Sequence, residues 1–317
     1  SSRVSINNTS TGVSPGDPVV EVNANYIMYG INGSTGTTFR VYNKTGTLLA
    51  SFTENALWSG VGTTPCNGNA NGDPIVLYDQ LADRWFLQEF TGAGLLCINV
   101  SQTSDPTGAY YFYSFDPPDF PDYPHFGVWS DAYYGSTNEA GSGGNQTTYA
   151  FHRANMLTGA PATMQRLTAV PPVSGYGFQT LTPVDHDGAS TPPGGAPGIF
   201  MRHFDGEAHG SPVPATDLLQ MYEMDVDWVT PANTTVTTLP ATIGMSGATA
   251  RPDAPTSWLM RAVLPVRSQR RSWPFHAPVT ANAAPGPSTM EVTLVSWARK
   301  ACVGRSASRS TTSAELG

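Results

Sequence analysis

One phrase recurs along this chain of 317 residues, and its recurrence limits the fold more than any other feature. Gly72-Asp73-Pro74-Ile75-Val76-Leu77-Tyr78-Asp79 runs on through Asp83-Arg84-Trp85-Phe86-Leu87 to Phe90. Upstream, Asp17-Pro18-Val19-Val20-Glu21-Val22 leads into Asn25-Tyr26-Ile27-Met28-Tyr29. Downstream, Asp122-Tyr123-Pro124-His125-Phe126-Gly127-Val128-Trp129 leads into Asp131-Ala132-Tyr133-Tyr134, and a weaker fourth copy joins Val184-Asp185 to Gly198-Ile199-Phe200-Met201-Arg202. A second alternating run follows each copy, starting at Phe39, Cys97, Tyr149 and Met221, so the starts lie 58, 52 and 72 residues apart. Internal repetition near 50 residues is the mark of propellers and related arrays, whose units stack because none can bury its apolar face alone.

Each repeat has room for two hairpins. In the second, Pro74–Tyr78 alternates, Leu81-Ala82-Asp83 turns the chain, and Arg84–Phe90 returns rich in aromatics. Leu95–Val100 and Ala109–Phe115 then flank Ser104-Asp105-Pro106-Thr107-Gly108, a turn made of residues that preset turn dihedrals. The expected fold is therefore all-β, a β-propeller-like array of four-stranded blades, with four clear repeats in residues 10–245. Four blades make the smallest ring, so the array is either incomplete or extended by degenerate blades. Helical periodicity is nearly absent, and Ala154–Leu157 is the one helical turn expected.

Gly and Pro total 59 residues, yet 39% of the chain is hydrophobic, which fits many short punctuated strands rather than disorder. Charge divides the chain unevenly. Residues 1–245 carry 7 Lys and Arg against 21 Asp and Glu, whereas residues 246–317 carry 9 against 3. In that last segment Arg, Ala, Pro and Ser replace the strand pattern, and only 289–297 alternates like a strand. Three readings of it stay open: a frame-shifted end, a degenerate blade, or a functional basic tail. The acidic blade region disfavours nucleic acid as a partner, and no run of about 18 apolar residues offers a membrane span. A soluble, secreted or extracellular chain is expected, with any export signal already removed.

Cys66 precedes the second repeat's first strand and Cys97 lies in its third, so a hairpin between them would bring the two together as a disulfide. Sequons point to an exported glycoprotein. Asn8, Asn32, Asn43, Asn145 and Asn233 are the expected acceptors, whereas Asn99 falls within a strand.

In GDPIVLYDQLADRW (72–85), SQTSDPTGAYYFYSF (101–115) and FPDYPHFGVWSDAYY (120–134), the chain resembles a group of uncharacterised secreted bacterial β-propeller proteins. The resemblance spans about residues 10–240 and implies the fold and an extracellular setting, but no settled chemistry. Members of that group continue with further strand-rich blades where this chain turns basic.

Candidate chemistry falls into three sets. Asp17, Asp73 and Asp122 recur at equivalent positions, which suggests a capping role before proline more than catalysis, although convergent carboxylates also bind Ca2+ or cleave glycosidic bonds. Residues that break the repeat are better site candidates. His186 and His203 are expected ligand contacts, and Asp185, Asp187 and Asp205 are expected metal ligands for which Ca2+ is the natural ion. Trp129, Tyr133 and Tyr134 are the aromatics expected to stack on sugar rings at the surface. No nucleophile elbow, phosphate loop or zinc motif is present in the sequence. The reading that follows is an extracellular binding or scaffold propeller recognising a glycan or cell-surface protein, with self-association through an open blade edge. The alternative is a glycoside hydrolase of the sialidase or arabinanase propeller type, and the sequence does not decide whether the chain is an enzyme.

Overall fold

The computed structural model describes residues 2–7, 13–62, 64–139, 146–172, 181–188, 190–204, 217–239, 243–245 and 289–294. Two compact units divide the chain, Thr9–Pro274 and a smaller one of Ser1–Asn8 with Phe275–Gly317. The smaller unit holds β1 (Ser2–Asn7).

Four antiparallel sheets follow one another in the larger unit, and the chain is an all-β propeller-like array. The first sheet is β2 (Val19–Val22), β3 (Tyr26–Ile31), β4 (Thr38–Asn43) and β5 (Leu48–Thr53). A five-residue helix, α1 (Glu54–Trp58), then leads to the second sheet. That sheet is β6 (Ala70–Asp79), β7 (Arg84–Thr91), β8 (Leu96–Ser101) and β9 (Tyr110–Phe115). The third contains β10 (Asp122–Val128), β11 (Tyr133–Asn138), β12 (Gln146–Phe151) and, after α2 (Arg153–Met156), β13 (Met164–Val170). The fourth is β14 (Thr182–Pro183), β15 (Gly198–Phe204), β16 (Asp217–Asp225) and an outer edge split into β17 (Thr235–Thr238) and β18 (Ile243–Met245), both paired to β16. In the smaller unit β19 (Thr289–Leu294) lies antiparallel to β1, and it falls within the strand-like run 289–297.

Apart from β18, which returns to β16, strand order within these four sheets follows chain order, and the first strand of each sheet is an edge strand. These first strands adjoin one another in sequence, β2 with β6, β6 with β10, and β10 with β14. Period-two alternation then sends successive side chains to opposite neighbours. Along β7, Trp85 and Leu87 join Met28, Phe39 and Val41 between the first two sheets. Phe86 and Phe90 face the other way, joining Phe126, Tyr133, Tyr149 and Phe151 between the second and third. Tyr134, Ala150, Phe200, Tyr222 and Met224 fill the gap between the third and fourth. Lying between neighbouring sheets, β7, β8 and β12 are buried along nearly their whole length, polar residues included.

The helical turn expected at Ala154–Leu157 is α2, displaced by one residue. α1 was not expected, because five residues carry no readable period. Thr53 caps it by accepting a hydrogen bond from the Ala56 N–H, and the helix buries Glu54 and Trp58.

Candidate functional site

The same backbone kink recurs just before or within the first strands of three successive sheets. Asp17, Asp73 and Tyr123 each precede a proline and each has left-handed φ, at 39°, 53° and 54°. A residue before proline normally prefers extended backbone, and a non-glycine residue at positive φ costs about 1–3 kcal/mol, so something must hold these positions. Asn32 holds the first two. Its Nδ2 donates to Asp17 Oδ2 at 2.9 Å and to the Pro15 carbonyl at 3.3 Å, while its Oδ1 accepts from the Asp73 N–H at 2.9 Å. Gly72 lets the chain pass this close, since a Cβ there would stand 2.7 Å from Asn32 Oδ1. In the third sheet Asp122 Oδ1 accepts from the Tyr123 N–H at 2.9 Å, and β10 slips register beyond it.

These kinks bring acids together. Burial and then the neighbouring Asp17 push the Asp73 carboxyl up to about 6, with a bond from Asn32 opposing and the Asp122 charge adding. Asp17 is exposed, and Asp73 and Asp122 are half-buried, so the cluster opens to solvent. The Tyr123 phenol is pushed up by burial and by Asp17 and Asp73, which keeps it a neutral donor beside them. The set forms an acidic mouth at the start of the first strands. The structural role expected of the recurring aspartates fits the hydrogen bonds, but the carboxyls remain available as acceptors.

A second, enclosed acidic pair lies behind it, between the first two sheets. Glu54 and Glu89 are both buried. Glu54 Oε1 accepts from Trp58 Nε1 at 2.8 Å and from Asn99 Nδ2. Glu89 accepts from the Thr37 N–H at 3.1 Å through both oxygens and from the Gly72 N–H. Burial first, then the Glu89 charge, raises Glu54 to about 8, with bonds from Asn99 and Trp58 opposing. Burial raises Glu89 to about 7 against the pull of the Thr37 and Gly72 bonds. The Cys66–Cys97 disulfide lies beside Trp58 and Phe112 at this interface, with a Cα–Cα distance of 5.9 Å, where the hairpin geometry leads one to expect it.

Between the second and third sheets, buried acids have cations. Arg153 donates to Asp79 through Nε at 2.7 Å and Nη2 at 2.9 Å, and Tyr133 adds its hydroxyl at 2.9 Å. Burial pulls the guanidinium down, but the bonds and charge of Asp79 more than offset it and hold Arg153 above its ordinary value. Glu139 likewise accepts from Arg166 and from the Tyr149 hydroxyl.

Several expected site residues lie elsewhere. Tyr133 and Tyr134 are not surface aromatics. Both are buried, one bonded to Asp79 and the other to Asp131 Oδ2 at 3.0 Å, because the alternation of β11 sends them into the gaps on either side of the third sheet. Trp129 is half-buried, donates to the Ala196 carbonyl at 3.0 Å and meets the His186 ring edge-on at 6.3 Å. His186 is buried, and among the described residues its Nε2 has no hydrogen-bond partner. Asp185 and Asp187, two of the three expected metal ligands, have different partners. Asp185 accepts from the Val128 N–H at 2.8 Å, tying the fourth sheet to the third, and Asp187 accepts from Gln80 at 2.9 Å. Among the described residues no group of three or more His, Cys, Asp or Glu side chains is placed to hold a metal ion. Asp205 and the His203 side chain lie outside the described residues.

Of the expected glycan acceptors, Asn32 is contradicted, since it is only 7% exposed and both ends of its amide are engaged. Asn43 sits in a turn with its Oδ1 accepting from Thr45 and Thr47, and Asn233 is exposed. Asn8 and Asn145 lie outside the described residues. An open groove of about 460 Å³ beside Asn233 is lined by Asp225, Val226, Asp227, Trp228 and Val229. There the Asp227 carboxylate is held below its ordinary value by the Thr230 N–H, Asn233 and the Val229 N–H, as a turn cap is.

Sequence reasoning missed Asn32, Glu54, Glu89 and the Asp79–Arg153 pair. One signal was present, a Gln-Glu dipeptide inside the otherwise apolar strand Arg84–Thr91.

No family model matches the chain, and no curated protein does. Among solved structures it is similar to a thermostable family-43 glycoside hydrolase, at 13% identity and a TM-score of 0.37 over 77% of this chain and 76% of the other. A GH43 β-1,3-galactosidase aligns at 11% identity and 0.36, over 69% of this chain but only 44% of its own length. The fission yeast SREBP–SCAP binding domains align at 11% and 0.36, over 74% and 80%. Scores this low assign neither family nor chemistry.

Proposed function

We propose that this chain is an extracellular propeller module that binds a glycan through the acidic mouth of Asp17, Asp73 and Asp122. The observation that supports this reading is the delivery of three carboxyls to one solvent-open end by three consecutive first strands. Carboxylates on backbone fixed by Asn32 are preorganised acceptors for vicinal sugar hydroxyls, and the half-buried Tyr123 ring offers an apolar face and a neutral hydroxyl. The disulfide fits an oxidising compartment, and no helix among the described residues is long and apolar enough to cross a membrane. A cell-surface protein bearing such a glycan is the natural partner. The outer strand β5, with Leu48 and Leu49 exposed, is the edge offered for self-association.

Glycoside hydrolysis is the second reading, favoured by Asp73 keeping its proton up to about pH 6 beside a second carboxylate. Against it, Asp17 and Asp73 lie within hydrogen-bonding reach of each other. That is closer than the roughly 5–9.5 Å between the paired carboxyls of glycosidases. A glycan array followed by calorimetry on the best ligand tests the proposal. Binding without release of reducing sugar, weakened at least about tenfold by Asp122→Asn, is the expected result. Turnover lost in Asp73→Asn would establish the hydrolase instead.

A further inference from the structure

We propose that the interface between the first two sheets is a binding site for a hard cation such as Ca2+, held by the carboxylates of Glu54 and Glu89 and the amide oxygen of Asn99. It is separate from the acidic mouth and independent of the glycan reading.

The case starts from which atoms lack partners. Both hydrogen bonds reaching the Glu54 carboxylate land on Oε1, from Trp58 and Asn99. Among the described residues Glu54 Oε2 has no hydrogen-bond partner, and neither has Asn99 Oδ1, in residues with no exposed surface at all. Both orphans are acceptors, and they belong to adjacent groups, since the same amide donates to the same carboxylate. A buried acceptor left unsatisfied costs about 1–3 kcal/mol, so a protein rarely keeps two side by side without something to meet them.

Glu89 is the second charge. Thr37 joins it to Glu54, since the Thr37 carbonyl accepts from the Glu54 N–H at 3.0 Å while the Thr37 N–H donates to Glu89 at 3.1 Å. Among the described residues no Lys or Arg figures among the groups acting on either glutamate, and the Glu89 charge opposes ionisation of Glu54. The next interface shows what this chain does with a buried carboxylate when a cationic side chain is available, pairing Asp79 with Arg153 and Glu139 with Arg166.

Two carboxylates and an amide oxygen are the donor types that calcium selects. A single proton on Glu54 Oε2 could be donated to Asn99 Oδ1 and meet both orphans, but it would leave the Glu89 carboxylate without a counter-charge, whereas a cation can draw on all three groups. Side chains cannot open this interface easily, because the Cys66–Cys97 disulfide and Trp58 cover it, so an ion bound here would exchange slowly.

The test uses the full chain, stripped with chelator and compared with and without 1 mM calcium at pH 8 by thermal unfolding and calorimetry. The expected result is saturable binding near one ion per chain and a midpoint raised by about 5 °C. Glu54→Gln, which keeps the shape and removes the charge, is expected to fold with an unchanged or higher midpoint in chelator and to lose the calcium shift. Asp73→Asn, at the mouth, is expected to keep it. A wild-type midpoint indifferent to calcium would overturn the proposal, as would a full shift in Glu54→Gln or its loss in Asp73→Asn. If calcium does nothing while acidification raises the midpoint and Glu54→Gln abolishes that rise, the pair takes a proton and the cation site is wrong.

Discussion

The two interfaces flanking the second sheet bury carboxylates in opposite ways. Between the second and third sheets, Asp79 and Glu139 each meet an arginine and a tyrosine hydroxyl, so the charge is buried with its counter-charge. Between the first and second, Glu54 and Glu89 meet only neutral donors and each other. Their consequences differ in sign. A paired charge favours the ionised form and locks two sheets together, whereas an unpaired one resists ionisation and takes up a proton or an ion instead. One sheet thus carries a fixed fastening on one face and an acid-sensitive one on the other.

The largest expected effect breaks the fixed fastening. Asp79→Asn leaves the Arg153 guanidinium buried without its counter-charge, and removing one partner of a buried pair costs about 3–5 kcal/mol. Glu54→Gln removes a charge that has no partner, so at pH 8 in chelator it is expected to be neutral or stabilising by up to about 2 kcal/mol. Equilibrium urea unfolding of the two variants measures both. If the two substitutions destabilise equally, the difference between the interfaces is only apparent.

The array itself was legible because its signals are local and repeated. Asp-Pro before an alternating run, a turn triplet and an aromatic return strand each mark a few neighbouring residues, and Cys66 and Cys97 flank one such unit. Site residues failed where burial, a tertiary property, reversed a local reading. Asn32 carries a sequon, and only the approach of Gly72 and Asp17 shows that its amide is consumed. Tyr133 and Tyr134 look like a surface pair until both faces of β11 prove to be covered. The spacing of Asp185 and Asp187 suggested shared ligation, yet in the extended segment after β14 one reaches a backbone N–H of the third sheet and the other a side chain of the second. Glu54 was unreadable for another reason, since its partners Asn99 and Thr37 lie 45 and 17 residues away along the chain.

Acidity sharpens the contrast at intermediate size. Glu54 and Glu89 are raised to about 8 and about 7 in the folded chain, against an ordinary value of 4.5. Between those limits the native state holds more protons than the unfolded one, so stability falls as pH rises from about 4.5 through 8. Asp73, raised to about 6, acts in the same direction over a narrower window. In chelator the wild-type midpoint is expected to be higher at pH 5.5 than at pH 8.5 by about 5 °C. A double variant carrying Glu54→Gln and Glu89→Gln should flatten most of that slope. An unchanged slope would mean that the two glutamates are not the groups responsible.

The smallest effect concerns Asn32, which fastens the first sheet to the second at the mouth by hydrogen bonds alone. Asn32→Ala strips the Asp73 N–H of its acceptor and Asp17 of a donor, with both residues held at positive φ. Water can reach exposed Asp17 but less easily the Asp73 backbone, so a loss of about 1–3 kcal/mol is expected rather than the larger cost of a buried charge. Asn233→Ala, in an exposed turn, should stay within about 0.5 kcal/mol of wild type. The same contrast has a chemical readout in a host that glycosylates. Peptide mass mapping should find Asn32 unmodified in folded protein, because it is buried with its Nδ2 bonded to Asp17, while Asn233, bonded to Asp227 in an exposed turn, stays accessible to the transferase. A glycan on Asn32 would mean that the link between Asp17 and Asp73 is not formed when the chain is modified, and the preorganised mouth would lose its support.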